Sequence, residues 1–326
     1  MRNLYVLPQK FLTLSVPIVL FLGFTIGSLI DTRALQPFIL IATILMIYAT
    51  MVGFKWSELT SRRGNNVVGY SLLLNFIVIP AIAYVIGHTL LVDEPLLFAG
   101  LALSALLPTS GMTISWTMLQ KGNVSVAIKL TIIGLLVGSL LTPWYLYGMV
   151  GQLVEINLLA TFQTIVLIIL VPMILGQVTY VLILHWTDEQ TFKRTIKPNF
   201  APLSVWAMLF VVFASVSMRA TTILENPALL VQALGALILF YGLNYVISTW
   251  VAVKRLSRAD GIALVNGTVL RNLSISIGLA ATSFGAEAAL LVTLAFIVQQ
   301  QSIPLYSSIA LNRWFKDSTE KKEMIS

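Results

Sequence analysis

Long apolar runs that lack charged side chains constrain this sequence more than any other feature. Nine nearly charge-free runs, and a tenth that contains a single arginine, divide the 326 residues. A helix needs about 20 apolar residues to cross a bilayer, and each run is long enough. Barrel strands would be shorter and would alternate apolar with polar residues, which this sequence does not do. The sequence therefore predicts an all-α polytopic membrane protein with ten transmembrane helices.

The first apolar run is expected to be a transmembrane span and not a cleaved signal peptide. It is too long for the apolar region of a signal peptide, and it lacks an A-x-A cleavage site. Charged residues make up 10% of the chain, whereas about 25% is usual in soluble domains. The ten predicted spans are 11–30, 36–54, 67–88, 96–120, 124–149, 158–184, 200–217, 227–251, 261–284 and 288–311.

The basic residues predict the orientation of these spans. When the loops are assigned alternately to two sides, 16 basic residues fall on one side and 2, Arg33 and Arg219, fall on the other. Loops rich in Lys and Arg stay in the cytoplasm. We therefore expect a multi-pass protein of the cell (inner) membrane with both termini in the cytoplasm. The net charge of +7 follows from this topology, so the expected surroundings are the lipid bilayer and no nucleic acid is expected as a partner.

The order of the spans favours an internal repeat. The longest polar connection, 185–199, divides the chain into two sets of five spans. An odd number of spans in each half gives the halves opposite orientations, as in inverted repeats. The sequence 113–115, Thr-Ile-Ser, is echoed by Ser-Ile-Ser at 274–276. We therefore predict two inverted five-helix repeats, in which the fourth and ninth helices are counterparts.

Span four contains residues that interrupt a helix at membrane depth. Pro108 lacks a backbone donor, and Gly111 adds conformational freedom beside the hydroxyls of Thr109, Ser110 and Thr113. Irregular backbone inside a membrane is tolerated only where protein or a water-filled cavity receives its polar groups. An ordinary proline kink packed against neighbouring helices is the alternative. A broken helix here would form part of an ion or substrate site.

Span nine carries an arginine near its middle. Arg271 lies too far from either end of the span to reach the membrane surface easily, and a central arginine costs at least about 2.5–3.5 kcal/mol on insertion scales. No Asp or Glu lies at membrane depth in any predicted span. Arg271 is therefore expected either to cap exposed carbonyls or to bind an anion, beside the polar Asn272 and Ser274.

Three further polar residues are candidates for the same region. Lys129 is about 9 Å beyond Asn123 along its helix, so it either extends to the cytoplasmic surface or lines a cavity. Asn75 and Gln299 form interhelical hydrogen bonds or bind a ligand. The chain has no cysteine, and the spans hold neither paired carboxylates nor a metal-ligand cluster. No enzyme activity, cofactor or metal is therefore expected.

Several of these segments together resemble the bile acid/sodium symporter superfamily, which includes an arsenite-efflux branch. The stretch 108–123 is similar to the family pattern P-x-x-x-x-[SN]…L-x-[KR]-G-[ND], and Thr142-Pro143 matches the T-P that follows it. Residues 271–280 are similar to the family's Q-N-x-x-L-A crossing, and 75–80 fit the third span. The resemblance implies a core domain, approximately 67–149 and 227–311, whose fourth and ninth helices cross at their breaks. It also implies a panel domain, approximately 11–54 and 158–217.

The sequence departs from the sodium-coupled members where they bind sodium. Their Ser-Asn pair after the first break is replaced by Thr113 and Ile114, and a serine ligand of the fifth span is replaced by Ala127. Their ninth-span glutamate corresponds to Gly267, and their glutamine corresponds to Arg271. Sodium needs several oxygen ligands. We therefore expect both sodium sites to be absent and the coupling ion to be a proton, or none.

A residual ion site is expected only at Thr131, which retains the family's threonine, and Gln299. The predicted function is secondary active transport of a small anionic organic solute by alternating access, independent of sodium. Arsenite efflux is the alternative within the superfamily, although Thr109 stands where that branch carries a cysteine. A passive channel is the alternative of another class. The predicted substrate-binding residues are Thr109, Ser110, Thr113, Lys129, Arg271, Asn272 and Ser274, with Pro108, Gly111 and Asn75 shaping the breaks.

Overall fold

The computed structural model describes residues 2–53, 64–154, 158–218, 220–225 and 227–315, and these residues contain helices and no β-strand. The predicted all-helical architecture is thereby confirmed. The α-helices are α1 Arg2–Lys10, α2 Leu12–Leu29, α3 Gln36–Met51, α4 Asn65–Leu73, α5 Ile79–Leu90, α6 Pro95–Leu106, α7 Gly111–Leu119, α8 Val124–Val150, α9 Leu158–Ile165, α10 Val171–Trp186, α11 Glu189–Thr191, α12 Phe200–Ser217, α13 Ala220–Glu225, α14 Ala228–Arg255, α15 Arg258–Val269, α16 Leu273–Ser283 and α17 Ala286–Arg313.

Eight helical segments among the described residues are long and apolar enough to cross a membrane, and the number rises to ten if each of two bent pairs counts as one span. One bent pair is α1 with α2, at 104°, and the other is α6 with α7, at 57°. The protein is therefore an integral, multi-pass membrane protein, and the predicted count of ten lies within this range. Seven of the basic residues that give the charge asymmetry lie outside the described residues: Lys55, Arg62, Arg63, Arg219, Lys316, Lys321 and Lys322. The end of the predicted second span, at 54, also lies outside them.

In the third and sixth spans, a π-helical turn ends two residues before a proline. Leu74–Val78 joins α4 to α5, and Val166–Leu170 joins α9 to α10. Pro80 has no N–H to donate to the carbonyl of Phe76, four residues earlier. The hydroxyl of Tyr145, on α8, donates to this carbonyl instead. Side chains of neighbouring helices thus satisfy backbone groups that the proline leaves open.

The predicted polar connection at 185–199 is mostly helical. Asp188 caps the short helix α11, since its side chain accepts hydrogen bonds from the N–H groups of Gln190 and Thr191. A π turn, Phe192–Ile196, and a short 3₁₀ turn then continue into α12. Phe192 is buried against Val52 and Tyr180. Its apolar ring therefore holds the polar connection against α3 and α10.

Helices α2, α3, α10 and α12 pack against one another as one group. A Cβ on Gly23 would lie 3.0 Å from the carbonyl oxygen of Phe213, so α2 and α12 approach closely at this glycine. The Ser204 hydroxyl of α12 donates to the carbonyl of Met46 on α3 at 3.0 Å. Small residues and interhelical hydrogen bonds hold helices together where the hydrophobic effect cannot.

Helices α4 to α8 and α14 to α17 form a second packing group. The two groups meet chiefly where α16 packs on α3 and α12, and where α17 packs on α12 and α2. Gly278 of α16 provides the closest approach, since a Cβ there would lie 2.1 Å from Cγ2 of Thr43 on α3. The packing of α16 against α3 thus depends on the absence of a side chain at this position.

Replacing Gly278 with alanine is expected to lower the free energy of unfolding by about 1–3 kcal/mol, because the added methyl group overlaps a β-branched side chain with few rotamers. Thermal unfolding of the purified protein in detergent measures the effect. Gly242→Ala is the matched control, since a Cβ there meets nothing within 4 Å. Thr43→Ala should restore the stability of Gly278→Ala, and equal effects at both glycines would contradict the assignment.

Candidate functional site

The interruptions predicted in spans four and nine are both present, and they touch. The helix α6 ends at Leu106 and α7 begins at Gly111, whereas α15 ends at Val269 and α16 begins at Leu273. The N–H of Asn272 donates to the carbonyl of Leu107 at 2.9 Å. One break therefore satisfies a backbone group of the other. We call these two breaks, 107–110 and 270–272, the crossing.

The break in span four is fixed by Pro108 and Thr109. Proline removes a helical donor, and Thr109 adopts a φ of +62°, which is rare for a β-branched residue. Its hydroxyl donates to the carbonyl of Pro108 at 2.7 Å and lies 3.3 Å from that of Thr131 on α8. Gly111 was expected to supply the unusual backbone conformation, but the positive φ falls on Thr109. Strained, buried backbone of this kind is typical of functional sites.

Beyond the break, Ser110 is the N-cap residue of α7, and its backbone is extended. The N–H of Ser110 donates to Oγ1 of Thr113 at 3.1 Å, and the hydroxyl of Thr113 approaches the carbonyl of Asn266 at 3.4 Å. Thr113 therefore joins the start of α7 to the end of α15. The buried hydroxyl oxygen of Ser110 has no hydrogen-bond partner among the described residues.

The break in span nine is held by a side-chain amide from α17. The Oε1 of Gln299 accepts from the N–H of Arg271 at 2.7 Å, and its Nε2 lies 3.4 Å from the carbonyl oxygen of Arg271. Oε1 also accepts from the hydroxyl of Tyr241 on α14 at 3.1 Å. The amide of Gln299 thus takes the place of the missing helical neighbours. Gln299 was predicted as part of a residual ion site, and in the structure these hydrogen bonds engage its oxygen.

The guanidinium of Arg271 is enclosed by protein, with 1% of the residue exposed. Its Nη1 donates to Oδ1 of Asn75 at 2.8 Å. The orientation of Asn75 is set because its Nδ2 donates to Oγ of Ser71 at 3.0 Å and to the carbonyl of Gly267 at 3.1 Å. The sequence predicted that Arg271 caps carbonyls or binds an anion. Its observed partner is instead an amide oxygen, supplied by the π turn of the third span.

Within the part of the chain that the structure describes, the Nε and Nη2 donors of Arg271 have no hydrogen-bond partner. The carboxylates of the described residues all lie in a helix's first or last turn or in an adjoining loop, and none of them forms an ion pair with Arg271. A buried charge is ordinarily paired. Arg271 therefore retains unsatisfied hydrogen-bonding capacity beside the crossing.

Lys129 does not lie beside Arg271 at the crossing. It is 5% exposed, and its Nζ donates to Oδ1 of Asn65, the first residue of α4, at 2.6 Å. Because Lys129 is in the second turn of α8, this contact places its charge near the starts of α4 and α8. The sequence left open whether Lys129 reaches the surface or lines a cavity. The structure directs its charge toward the helix ends, within protein.

The remaining predicted residues divide by exposure. Thr109, Thr113 and Asn75 are buried, whereas Ser110, Asn272 and Ser274 are partly exposed. The hydroxyl of Ser274 lies 3.7 Å from the sulfur of Met208 on α12, so it faces the other packing group. The hydroxyl of Thr131, predicted as part of an ion site, donates to the carbonyl of Ala127 in its own helix at 2.8 Å.

Two residues at the crossing were missed by the sequence interpretation. Asn266 is buried on α15, and its Nδ2 donates to Oγ1 of Thr117 at 3.1 Å and to Oε1 of Gln120 at 2.9 Å. Tyr241 is the second, through its bond to Gln299. Asn266 lies in the same polar stretch as Arg271, so its proximity in sequence was a usable signal. A tyrosine in an apolar span offered no such signal.

Two interrupted helices whose breaks meet inside a helical membrane bundle are typical of secondary transporters. The chain belongs to the Sodium Bile acid symporter family, whose pattern matches residues 40–226. This confirms the resemblance inferred from the sequence, and it makes the protein a member of a transporter family.

Two relatives are similar over most of their length. The "Uncharacterized protein YbaS" of Bacillus subtilis is 22% identical over 248 residues, which cover 75% of this chain and 78% of that protein. The "Arsenical-resistance protein Acr3" of Corynebacterium glutamicum is 19% identical over 290 residues, which cover 83% of this chain and 78% of that protein.

Replacing Asn75 with leucine is expected to destabilise the protein by about 2–3 kcal/mol, because it removes a hydrogen bond to a buried charge. The double variant Asn75→Leu/Arg271→Leu should be more stable than Asn75→Leu, since the charge that lost its partner is also gone. Thermal unfolding of the three variants in detergent measures this coupling. Asn199→Leu, at an exposed position, is the control, and additive effects of the two substitutions would contradict the pairing.

Proposed function

We propose that the protein is a sodium-independent secondary transporter of a small organic anion, in which Arg271 supplies the positive charge at the crossing. The observation that carries the proposal is the hydrogen bond between Nη1 of Arg271 and Oδ1 of Asn75. A fixed cation thereby occupies the position where the sodium-coupled relatives are expected to hold a mobile one. Proton-linked exchange or uniport then replaces sodium symport.

The surrounding groups support the loss of sodium binding. Gly267 offers no side-chain oxygen, and its carbonyl accepts a hydrogen bond from Asn75. The side-chain oxygen of Asn75 is engaged by Arg271, and that of Gln299 is engaged by Tyr241 and by the backbone of Arg271. Sodium requires several oxygen ligands free to coordinate it, and a nearby guanidinium repels it.

The two half-helices that begin at the crossing support an anionic solute. Both α7 and α16 start there, so the positive ends of their dipoles point toward the same region. The partly exposed Ser110, Asn272 and Ser274 lie at these helix starts. These residues are the proposed contacts for the solute, with Arg271 behind them. Lys129 is not included, because its charge lies at the helix ends.

We further propose that transport occurs by alternating access between a core and a panel. The group formed by α4 to α8 and α14 to α17 corresponds to the core, and the group containing α2, α3, α10 and α12 corresponds to the panel. Two inverted repeats of five helices would generate this arrangement, with span nine as the counterpart of span four. The division of the packing groups supports this assignment.

We propose that the crossing is accessible from the cytoplasm in this conformation. The helix α16, on one side of the crossing, packs on the panel, whereas α7, on the other side, has α8 and α15 as its main neighbours. Gly111, Ser115, Met118 and Leu119 of α7 are exposed. If both termini are cytoplasmic, as the charge asymmetry predicts, α7 lies on the cytoplasmic side and the exposed face borders an open crevice.

Sodium independence is tested by solute screening followed by transport. Thermal unfolding of the purified protein is measured with carboxylates, sulfonates, sterol conjugates and arsenicals, each in sodium and in potassium buffer. We expect at least one anion to stabilise the protein equally in both buffers, and proteoliposomes to exchange that anion without sodium. Stimulation of uptake by sodium, with loss of that stimulation in Thr131→Ala, would contradict the proposal.

The absence of native cysteine allows a test of the open side. A cysteine at Ser115, on the exposed face of α7, should react with a membrane-impermeant thiol reagent added from the cytoplasmic side. Ser139→Cys, at a buried position on α8, is the control and should react at least about tenfold more slowly. Faster labelling of Ser115→Cys from the external side would reverse the assigned orientation.

Arsenical efflux is a second candidate, favoured by the similarity to the relative named as an arsenical-resistance protein. The chain has no cysteine, so thiolate ligation of arsenic is excluded and only an oxygen-based or charge-based site is possible. Stabilisation by arsenite, and not by organic anions, would favour this candidate. Saturable counterflow distinguishes either carrier from a passive channel.

A further inference from the structure

The two unpartnered donors of Arg271 belong to one edge of its guanidinium. Nη1 is engaged by Asn75, whereas Nε and Nη2 have no partner among the residues that the structure describes. The guanidinium is planar and rigid, so the N–H groups of Nε and Nη2 point in nearly parallel directions. This is the edge that donates two parallel hydrogen bonds to a carboxylate. The contact with Asn75 therefore leaves a bidentate donor pair intact.

Three features make this edge a built site for an anion. Arg271 is 1% exposed, so its charge is strongly desolvated and interacts over a low local dielectric. None of the described carboxylates is paired with it. The position of the guanidinium is constrained by Asn75, and its backbone is constrained by Gln299. The donors are therefore preorganised, and an anion that binds them loses little further entropy to ordering of the protein.

The geometry selects a chemical class. A planar oxyanion presents two oxygens at the spacing of the Nε and Nη2 donors, whereas a spherical halide accepts at one point and a neutral amide lacks the charge. On the opposite side of the guanidinium, Oδ1 of Asn75 already accepts from Nη1. The edge formed by Nε and Nη2 is therefore the part of the guanidinium that is left for the oxyanion.

We propose that the Nε–Nη2 edge of Arg271 binds a carboxylate or similarly planar oxyanion through two hydrogen bonds. The inference rests on the proposed function, since it gives the chemical class of the anion at the same site. The oxyanion is either the carboxylate of the transported solute or a free small anion that remains bound during transport. Both sources share the same chemistry and differ in whether the bound anion is exchanged across the membrane.

Thermal unfolding of the purified full-length protein tests the site, with lactate as the probe. Lactamide, its neutral analogue, and chloride, at equal ionic strength, are the controls. We expect lactate to raise the Tm by several degrees and the two controls to have little effect. Equal effects of lactate and chloride on the wild-type protein would overturn the proposal, and this comparison requires no variant.

Substitution of Arg271 locates the effect. Arg271→Lys keeps the charge but loses the planar edge, so lactate binding should weaken about tenfold or more. Arg271→Gln, which introduces the residue of the sodium-coupled relatives, should abolish the response. Lys129→Gln removes the second buried cation of the described residues and should retain the wild-type response. An unchanged response in Arg271→Lys would overturn bidentate binding even if the wild type responds.

Counterflow in proteoliposomes identifies the source of the oxyanion. Exchange of radiolabelled lactate that is lost in Arg271→Gln assigns the carboxylate to the solute. Binding of lactate without exchange assigns a resident small oxyanion, and either result supports the site. Exchange that depends on sodium would contradict the proposed sodium independence while leaving the oxyanion site intact, so the two proposals fail separately.

Discussion

The hydrogen bond from the Arg271 guanidinium to Asn75 is the interaction on which the rest of the site depends. A central arginine in a membrane helix costs at least about 2.5–3.5 kcal/mol, and no described carboxylate offsets this by pairing with it. Asn75 supplies an oxygen because its amide nitrogen is held by Ser71 and Gly267. Without that orientation, the guanidinium would lose the one hydrogen bond that it forms with the described residues.

This hydrogen bond belongs to a set that connects the two breaks to each other and to the surrounding helices. Asn75 belongs to the third span, Gln299 to the tenth and Tyr241 to the eighth, and all three reach the ninth-span break directly or through one another. The fourth-span break is attached through the hydrogen bond from Asn272 to the carbonyl of Leu107. A change at the crossing is therefore transmitted to the third, eighth and tenth spans. Such a rigid unit is suited to move as a whole against the panel in the proposed alternating-access cycle.

Much of the fold follows from local sequence features. Apolar length identified the spans, and Pro108 and Arg271 marked the two interrupted helices, because proline and a central charge act on the segment that contains them. The helical turns after Asp188 were not predicted within the polar connection, since its polar composition concealed the buried Phe192. The π turns were also missed, because they depend on acceptors and donors from other helices, such as Tyr145.

The partners within the site could not be read from the sequence. Arg271 and Asn75 are 196 positions apart, and nothing in either segment specifies which polar residue the guanidinium meets. Thr109 was recognised as polar, but its positive φ arises only when the crossing is assembled. Lys129 was assigned to the solute site on charge alone, and its bond to Asn65 is a tertiary contact. Residue type predicted where polar groups lie, and packing decided which of them meet.

Equilibrium binding of radioactive ²²Na⁺ to the purified protein tests whether a fixed guanidinium replaces sodium at the crossing. We expect no saturable binding at millimolar sodium, because the oxygens of Asn75 and Gln299 are engaged by Arg271. Saturable ²²Na⁺ binding that is lost when Asn75 is replaced by alanine would contradict it.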